Sequence, residues 1–410
     1  MRYESGDSWT IVADDLTGAS DAAAPFSRRA NTTIIVDGVP SQSERDVLSL
    51  NTESRYLSPS AASLAVESLV GSLIKQNRKQ IFKKIDSQLR GNVGHEVAGA
   101  LRAFERNGLP AFAVVAPAFP GAGRTTMGGT VFIDGQDAAD EIDNADILET
   151  LRVGGLRGAV IRRNEYANAR ALADRIRGVF VSECDAAVVD CMTDEDLMTV
   201  ATAHRILGLP ALLVGSGGLA AGIANSGHGA SLASVSIGDW HGNALVVIGS
   251  YSDRSRQQLD DLVSSGVCHV SLNHSDLSSE RISGEVLAGL SLGHVVLTPD
   301  RMAPVQKQNA REIAEALARI VSAVITSTRI LILCGGETAR ATLDSLKVRK
   351  MHVEGELEPG VVVHSITARH LLVVTKAGAF GGRQTITNVL EQIGSHDSLT
   401  KGDKSWDDQS

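Results

Sequence analysis

The sequence predicts an α/β protein of two domains, each with a largely parallel sheet flanked by helices, and a ligand cleft between the two. Three observations carry that expectation. Short β-branched apolar runs recur along the chain and are continuous, as strands buried on both faces of a parallel sheet are. Helical patterns lie between them, which makes strand–helix alternation with right-handed crossovers the default. The length of 410 residues suits two or three domains at roughly 150 residues each, and two is the simpler division.

The strand candidates come in order. WTIVADD, TTIIVDG, VLSLNTES, QIFKKIDS and AFAVVAPAF occupy the first third, and AAVVDCMT and ALLVGSGG follow. NALVVIGSY, HVVLTPD, RILILCGGET and LLVVTKAG make up the rest. Ser58 and Pro59 open a helix whose apolar residues recur at Ala62, Val66, Leu69, Val70 and Leu73. A second helix, from about Gln308, carries Ile313, Leu317, Ile320, Val321 and Val324 on one stripe. Residues 226–242 are rich in Gly, Ser and His without a period, so the domain boundary falls there. The domains are therefore 1–230 and 243–393, and the polar stretch 394–410 reads as a loose tail.

Composition narrows the function. Apolar types make up 43% and charged types 21%, which excludes wholesale disorder. A formal charge of −9 gives no reason to expect nucleic acid or an anionic membrane as a partner. The four cysteines, Cys184, Cys191, Cys268 and Cys334, lie far apart with no CxxC pair, as in a reducing compartment. With no apolar leader in MRYESGDSWT and no membrane-length apolar run, the expected location is the cytoplasm.

In open α/β sheets ligands bind beyond the carboxyl ends of the strands, and polar residues crowd there in this chain. Asp14 and Asp15 follow TIVA. Two adjacent carboxylates are not buried cheaply, so they point to a base or an anchor for hydroxyl groups, although Asp15 is equally placed to cap the next helix. In KKIDSQLRGN, Lys83, Lys84 and Arg90 surround Asp86 and Ser87, a cluster suited to a small polar anion. Arg55 and Arg90 are natural forks for a substrate carboxylate. His95 reads as structural and Arg124, in APAFPGAGRTT, as part of a positioning loop.

The second half offers glycine-rich turns between strand and helix. In LILCGGETARATL, Gly335 and Gly336 precede a helix opened by Glu337 and Thr338, a geometry that lets backbone N–H groups approach a phosphate. KAGAFGG, from Lys376 to Gly382, is a second such loop with a lysine at its mouth. Ser250 and Ser252 mark a third corner, where they either donate to phosphate or cap a helix. GSGGLA, Gly215–Ala220, reads as turn chemistry at the end of the first domain. Neither GxxxxGK[ST] nor GxGxxG occurs, which excludes a P-loop NTPase and an ordinary dinucleotide fold.

IVADDLTGASD, NTESRYLSP, KKIDSQLRGNVG, APAFPGAGRTT, GSYSDRS, CGGETA and TKAGAFGG occur in that order. Together they resemble the four-carbon acid sugar kinases, the family of threonate, erythronate and 3-oxo-tetronate kinases, from about Thr10 to Glu391. The resemblance implies a sugar-acid-binding first domain, an ATP-binding second domain and transfer in the cleft between them. Carried over by motif, Asp14, Asp15, Arg55, Lys84, Asp86, Ser87 and Arg90 bind the acid. Ser250, Gly335, Gly336, Glu337, Thr338, Gly378 and Gly381 bind the nucleotide. One residue departs: Gln88 stands where the family carries threonine, and a longer amide there reshapes the acid pocket.

The expected reaction is ATP-dependent phosphorylation of the terminal hydroxyl of a four-carbon acid, D-threonate favoured, with Mg²⁺ brought by the nucleotide. Asp86 or Asp15 is the catalytic base, with Asp86 preferred because Lys84 and Arg90 would hold it in place. Erythronate or 3-oxo-tetronate is the alternative acid. From other classes, a non-catalytic sensor of sugar acid and nucleotide predicts no ATP turnover, and a hydroxy-acid dehydrogenase predicts NAD binding. No partner beyond the acid and ATP is required, and a homodimer is compatible with the sequence.

Overall fold

The structure, a computed structural model, describes residues 8–38, 40, 47–78, 80–138, 144–226, 240–272, 280–300 and 310–394. The chain divides into two units, Met1–Ala233 and Ser234–Ser410. Most of the glycine- and serine-rich 226–242 stretch, Gln308 and nearly all of the 394–410 tail lie outside the described residues.

The first unit opens with β1 (Thr10–Ala13), α1 (Leu16–Ser27), β2 (Thr32–Ile35), β3 (Val47–Asn51) and α2 (Pro59–Lys75). It continues with β4 (Ile81–Lys84), α3 (Val93–Arg106) and β5 (Ala113–Ala116). A small antiparallel sheet follows, of β6 (Arg124–Met127), β7 (Thr130–Ile133) and β8 (Gln136–Asp137). Then come α4 (Ile147–Val153), β9 (Gly158–Ile161), α5 (Ala169–Val181) and β10 (Ala186–Val189). The unit closes with α6 (Asp194–Ile206), β11 (Leu212–Gly215) and α7 (Gly217–Asn225).

Its main sheet runs β2-β3-β1-β4-β11-β5-β10-β9, parallel throughout. The central strands β1, β5, β10 and β11 are buried along their whole length, as their continuous apolar runs require. Helix α2 starts where Ser58 and Pro59 predict, with Ser58 accepting from the Ala61 N–H. Its Ala62, Val66, Val70 and Leu73 are buried, and Val66, Val70 and Leu73 join the core beneath the sheet.

The second unit comprises β12 (Ala244–Ile248), α8 (Asp253–Ser264), β13 (Cys268–Leu272), α9 (Glu280–Leu292) and β14 (Val295–Pro299). After them come α10 (Ala310–Val324), β15 (Ile330–Cys334), α11 (Gly336–Ser345) and β16 (Lys350–Glu358). The last elements are β17 (Val361–Ile366), β18 (Leu371–Lys376) and α12 (Thr385–Gly394). Strand order is β13-β14-β12-β15-β18-β17-β16, parallel as far as β18 and antiparallel at β18-β17 and β17-β16. Every predicted stripe residue of α10 is buried. No described helix is long and apolar enough to cross a membrane.

Candidate functional site

In the first unit, β3, β1, β4 and β11 are neighbours, so the loops leaving their carboxyl ends must meet. Asp14 and Asp15 leave β1. Asp15 is the N-cap of α1: one oxygen accepts from the Gly18 N–H at 2.8 Å, the other from the Thr17 hydroxyl at 2.8 Å. Arg55, beyond β3, grips both aspartates. Its Nε and Nη2 donate to Asp14 at 2.7 and 3.1 Å, and Nη1 donates to Asp15 at 2.8 Å. Asp86, beyond β4, accepts from Arg90 Nε and Nη2 at 3.0 and 2.7 Å and from the Gln88 N–H at 2.9 Å. It also lies 3.6 Å from Arg55 Nη2. Ser87 follows it in the same loop, half-buried.

These contacts change several roles expected from the sequence. Arg55 is not a free fork for a substrate carboxylate; it is spent on Asp14 and Asp15. Arg90 spends two nitrogens on Asp86, yet its side chain remains 58% exposed and keeps donors for a ligand. Lys83 does not join the cluster around Asp86. Consecutive strand residues point to opposite faces, and Lys83 is buried in an ion pair with Glu96 of α3 at 2.7 Å. Lys84, on the other face, is buried and acts electrostatically on Asp14, Asp21 and Asp86.

Burial opposes the charge of Asp14, but Arg55, Lys83 and Lys84 outweigh it and hold the carboxyl below its usual range. For Asp86 burial is likewise overcome, by Arg90, Arg55 and Lys84, and its carboxyl is held down at about 2. Such a group stays ionised and takes up a proton poorly, so Asp86 has the character of an anchor rather than of the base expected from the sequence.

Sequence reasoning missed three contributors. The Asn92 amide donates to the Ser54 and Leu57 carbonyls at 3.0 and 2.9 Å, tying the loop after β4 to the loop after β3. Gly18 makes room for two charges: a Cβ there would collide with Asp15 Oδ1 and sit 2.9 Å from Lys84 Nζ. Asp21, three residues on and on the same face of α1, lies against Gly217 at the start of α7, where a Cβ would collide with its carboxylate. The GSGG run, read as turn chemistry alone, thus also leaves space for Asp21. The i, i+3 spacing of Gly18 and Asp21 in DDLTGASD was the available signal.

In the second unit β12, β15 and β18 are neighbours, and their ends bring the predicted nucleotide residues together. Gly335 caps α11 at φ +111°, a backbone conformation open to glycine. A Cβ on it would lie 3.5 Å from Ser250, and one on Gly378 would collide with the Ser250 hydroxyl. Ser252 caps α8, and the hydroxyls of Ser252 and Ser255 donate to the Gly378 carbonyl at 2.9 and 3.0 Å. Thr338 packs where a Cβ on Gly249 would strike it, while Gly336 and Glu337 form the first turn of α11 with Glu337 exposed. Gly381 is left-handed at φ +81° and abuts Thr385. Lys376 is not at the mouth of its loop. It is 1% exposed, and its ammonium donates to the Ala377, Gly378 and Phe380 carbonyls at 2.9, 3.4 and 2.9 Å.

Comparison with known proteins agrees with this division of labour. Residues 9–223 match the family model described as a sugar-binding N-terminal domain, and residues 245–386 the one described as a nucleotide-binding C-terminal domain. Fold and site therefore define a two-domain α/β phosphotransferase with an alcohol group as acceptor. The chain is 32% identical to a D-threonate kinase of Cupriavidus necator, covering 94% of this chain and 98% of the relative. It is 26% identical to a 3-oxo-tetronate kinase of the same organism, over 94% and 97% of the two chains. Identity to a D-erythronate kinase of Heliobacterium modesticaldum is also 26%, over 93% and 96%. Among solved structures, a Haemophilus influenzae protein shares the fold with a TM-score of 0.72 at 21% identity, covering 94% of this chain and all of its own. The chain belongs to the four-carbon acid sugar kinase family.

Proposed function

We propose that this protein transfers the γ-phosphoryl group of ATP to the terminal hydroxyl of a four-carbon sugar acid, with D-threonate as the substrate. The observation that carries the choice of acid is the similarity just described: within one organism, identity is 32% to the D-threonate kinase against 26% to the 3-oxo-tetronate kinase. The first unit supports the class of ligand. Lys84 and the exposed part of Arg90 supply positive charge for a carboxylate, Ser87 supplies a hydroxyl, and Asp15 faces the same cluster as an acceptor for substrate hydroxyls. Arg55 and Asp14 hold that arrangement in place.

In the second unit the phosphates would meet Ser250, the Gly335–Thr338 turn and the loop carrying Gly378 and Gly381, where backbone N–H groups and a helix N-terminus favour anions. Mg²⁺ usually binds through substrate phosphates with a few carboxylates and waters. Among the described residues no group of three or more His, Cys, Asp or Glu is arranged to hold a metal. Mg²⁺ would come to the reaction with the nucleotide, where it would neutralise phosphate charge.

The test is a coupled ADP-release assay over D- and L-threonate, D- and L-erythronate and their 3-oxo forms, with and without Mg²⁺. The expected result is Mg²⁺-dependent release that is greatest with D-threonate. A different preferred acid would move the assignment within the family. ATP consumption at background with every acid would remove it.

A further inference from the structure

Three of the four aspartates around Lys84 already carry scaffold hydrogen bonds on both oxygens. Asp14 accepts Arg55 on both oxygens. Asp15 accepts the Gly18 N–H on one oxygen, and the Thr17 hydroxyl and Arg55 on the other. Asp86 accepts Arg90 on both oxygens and the Gln88 N–H on one. Asp21 differs. Among the described residues no hydrogen bond or ion pair reaches its carboxylate, although the side chain is half-buried and wedged between the face of α1 and Gly217.

We propose that Asp21 is the general base of the reaction: it accepts the proton of the acid's hydroxyl as that oxygen attacks the γ-phosphorus of ATP. The inference rests on the kinase reading above. The O–H bond breaks as the new P–O bond forms, the bond from γ-phosphorus to the bridging oxygen breaks, ADP departs, and Asp21 later releases its proton to solvent. The base needs a lone pair not already spent on the scaffold, and Asp21 has both oxygens available. It also needs a proton affinity near the working pH, because a carboxylate that is too weak a base pulls little on the proton. Burial pushes the Asp21 carboxyl up to about 6, and the negative charges of Asp15 and Asp86 push the same way against the opposing pull of Lys84. Lys84, a step away across Gly18, steadies the ionised form.

The experiment measures ADP release with the preferred acid at saturating Mg²⁺ from pH 5 to 9, for wild type, Asp21→Asn and Asp21→Glu. The expected result is a fall in kcat of roughly 10²–10⁴-fold for Asp21→Asn with the acid KM nearly unchanged, and partial recovery in Asp21→Glu. Wild-type kcat/KM should also lose about tenfold per pH unit below about 6. Asp21→Asn should lack this limb, whereas any limb due to the titration of ATP itself stays in both. An Asp21→Asn enzyme within tenfold of wild type, or one that keeps the same acidic limb, overturns the proposal. Should the variant fail to fold, the wild-type profile decides, and a flat kcat/KM between pH 8 and 5 overturns it. Failure of the function reading looks different: wild type itself would release no ADP with any acid, and both readings would fall together.

Discussion

The two units use different materials for the same kind of task. At the strand ends of the first unit the work is done by side chains: Arg55, Arg90 and Lys84 set against Asp14, Asp15, Asp21 and Asp86. At the strand ends of the second unit the described groups are mainly backbone and hydroxyls, ordered by glycines and by an ammonium turned inward. A charge network fixes its members through partners, so an isosteric loss of charge breaks it. A backbone cradle is fixed by shape, so an added methyl group breaks it while a charge change nearby matters little.

Asp14→Asn tests the first half of that contrast most severely. It leaves the buried Arg55 guanidinium short of its main partner, and breaking a buried pair this way costs about 3–5 kcal/mol. Urea unfolding should show a lowered midpoint with an unchanged slope. A shift below about 1 kcal/mol would mean that Arg55 finds another partner and the network is less interlocked than its geometry indicates.

Asp21→Asn should move stability in the opposite direction. A carboxyl whose folded pKa is raised favours the fold fully below its unfolded pKa, near 3.8, and loses that contribution as pH rises through about 6. The neutral amide should therefore stabilise the protein at pH 8 by at most about 3 kcal/mol, with the gain vanishing toward pH 4. Asp86 has the reverse sign: its contribution is present above about pH 4 and is lost as pH falls toward 2. Melting curves across pH separate the two.

Smaller effects sharpen the second half of the comparison. Gly335→Ala forces a side chain into a backbone conformation costing about 1–3 kcal/mol, so the KM for ATP should rise by up to about a hundredfold. Sugar-acid binding followed by calorimetry should stay the same. Ser252→Ala removes the cap of α8 and a donor to Gly378, worth about 1 kcal/mol. The expected outcome is a few-fold rise in the KM for ATP and none for the acid. Equal losses for both substrates in either variant would erase the distinction between the units.

Much of the fold was legible because buried parallel strands announce themselves: all the continuous apolar runs singled out in the sequence are strands. Among those overlooked, β17 (Val361–Ile366) is itself a continuous, largely buried run, and the others obey different rules. β16 alternates exposed and buried residues through Met351 and Val353, the signature of an antiparallel strand rather than of a run buried on both faces. β9 and β13 lie at sheet edges and are short or part-exposed, so their apolar signal is weak. At the site, strand ends gave the loops but not the pairing within them. Nothing in ADDLTG and ESR says that Arg55 is consumed by Asp14 and Asp15, since that depends on β1 and β3 being neighbours in register. The spacing in DDLTGASD puts Asp21 on the face of Gly18, but its lack of a partner is hidden for the same reason, since partners are a tertiary property.

The inward lysine of the second unit has a geometric corollary. In a planar trans peptide the N–H points opposite to the carbonyl, and among the described residues no peptide bond is cis. With the carbonyls of Ala377, Gly378 and Phe380 drawn onto the Lys376 ammonium, the N–H groups of Gly378, Ala379 and Gly381 are turned away from it. The lysine thus acts as a mandrel around which three bond dipoles are wound with their positive ends outward. A cation hidden in the protein sets, one peptide plane further out, which way the N–H groups of the loop point, and its charge never has to leave the interior.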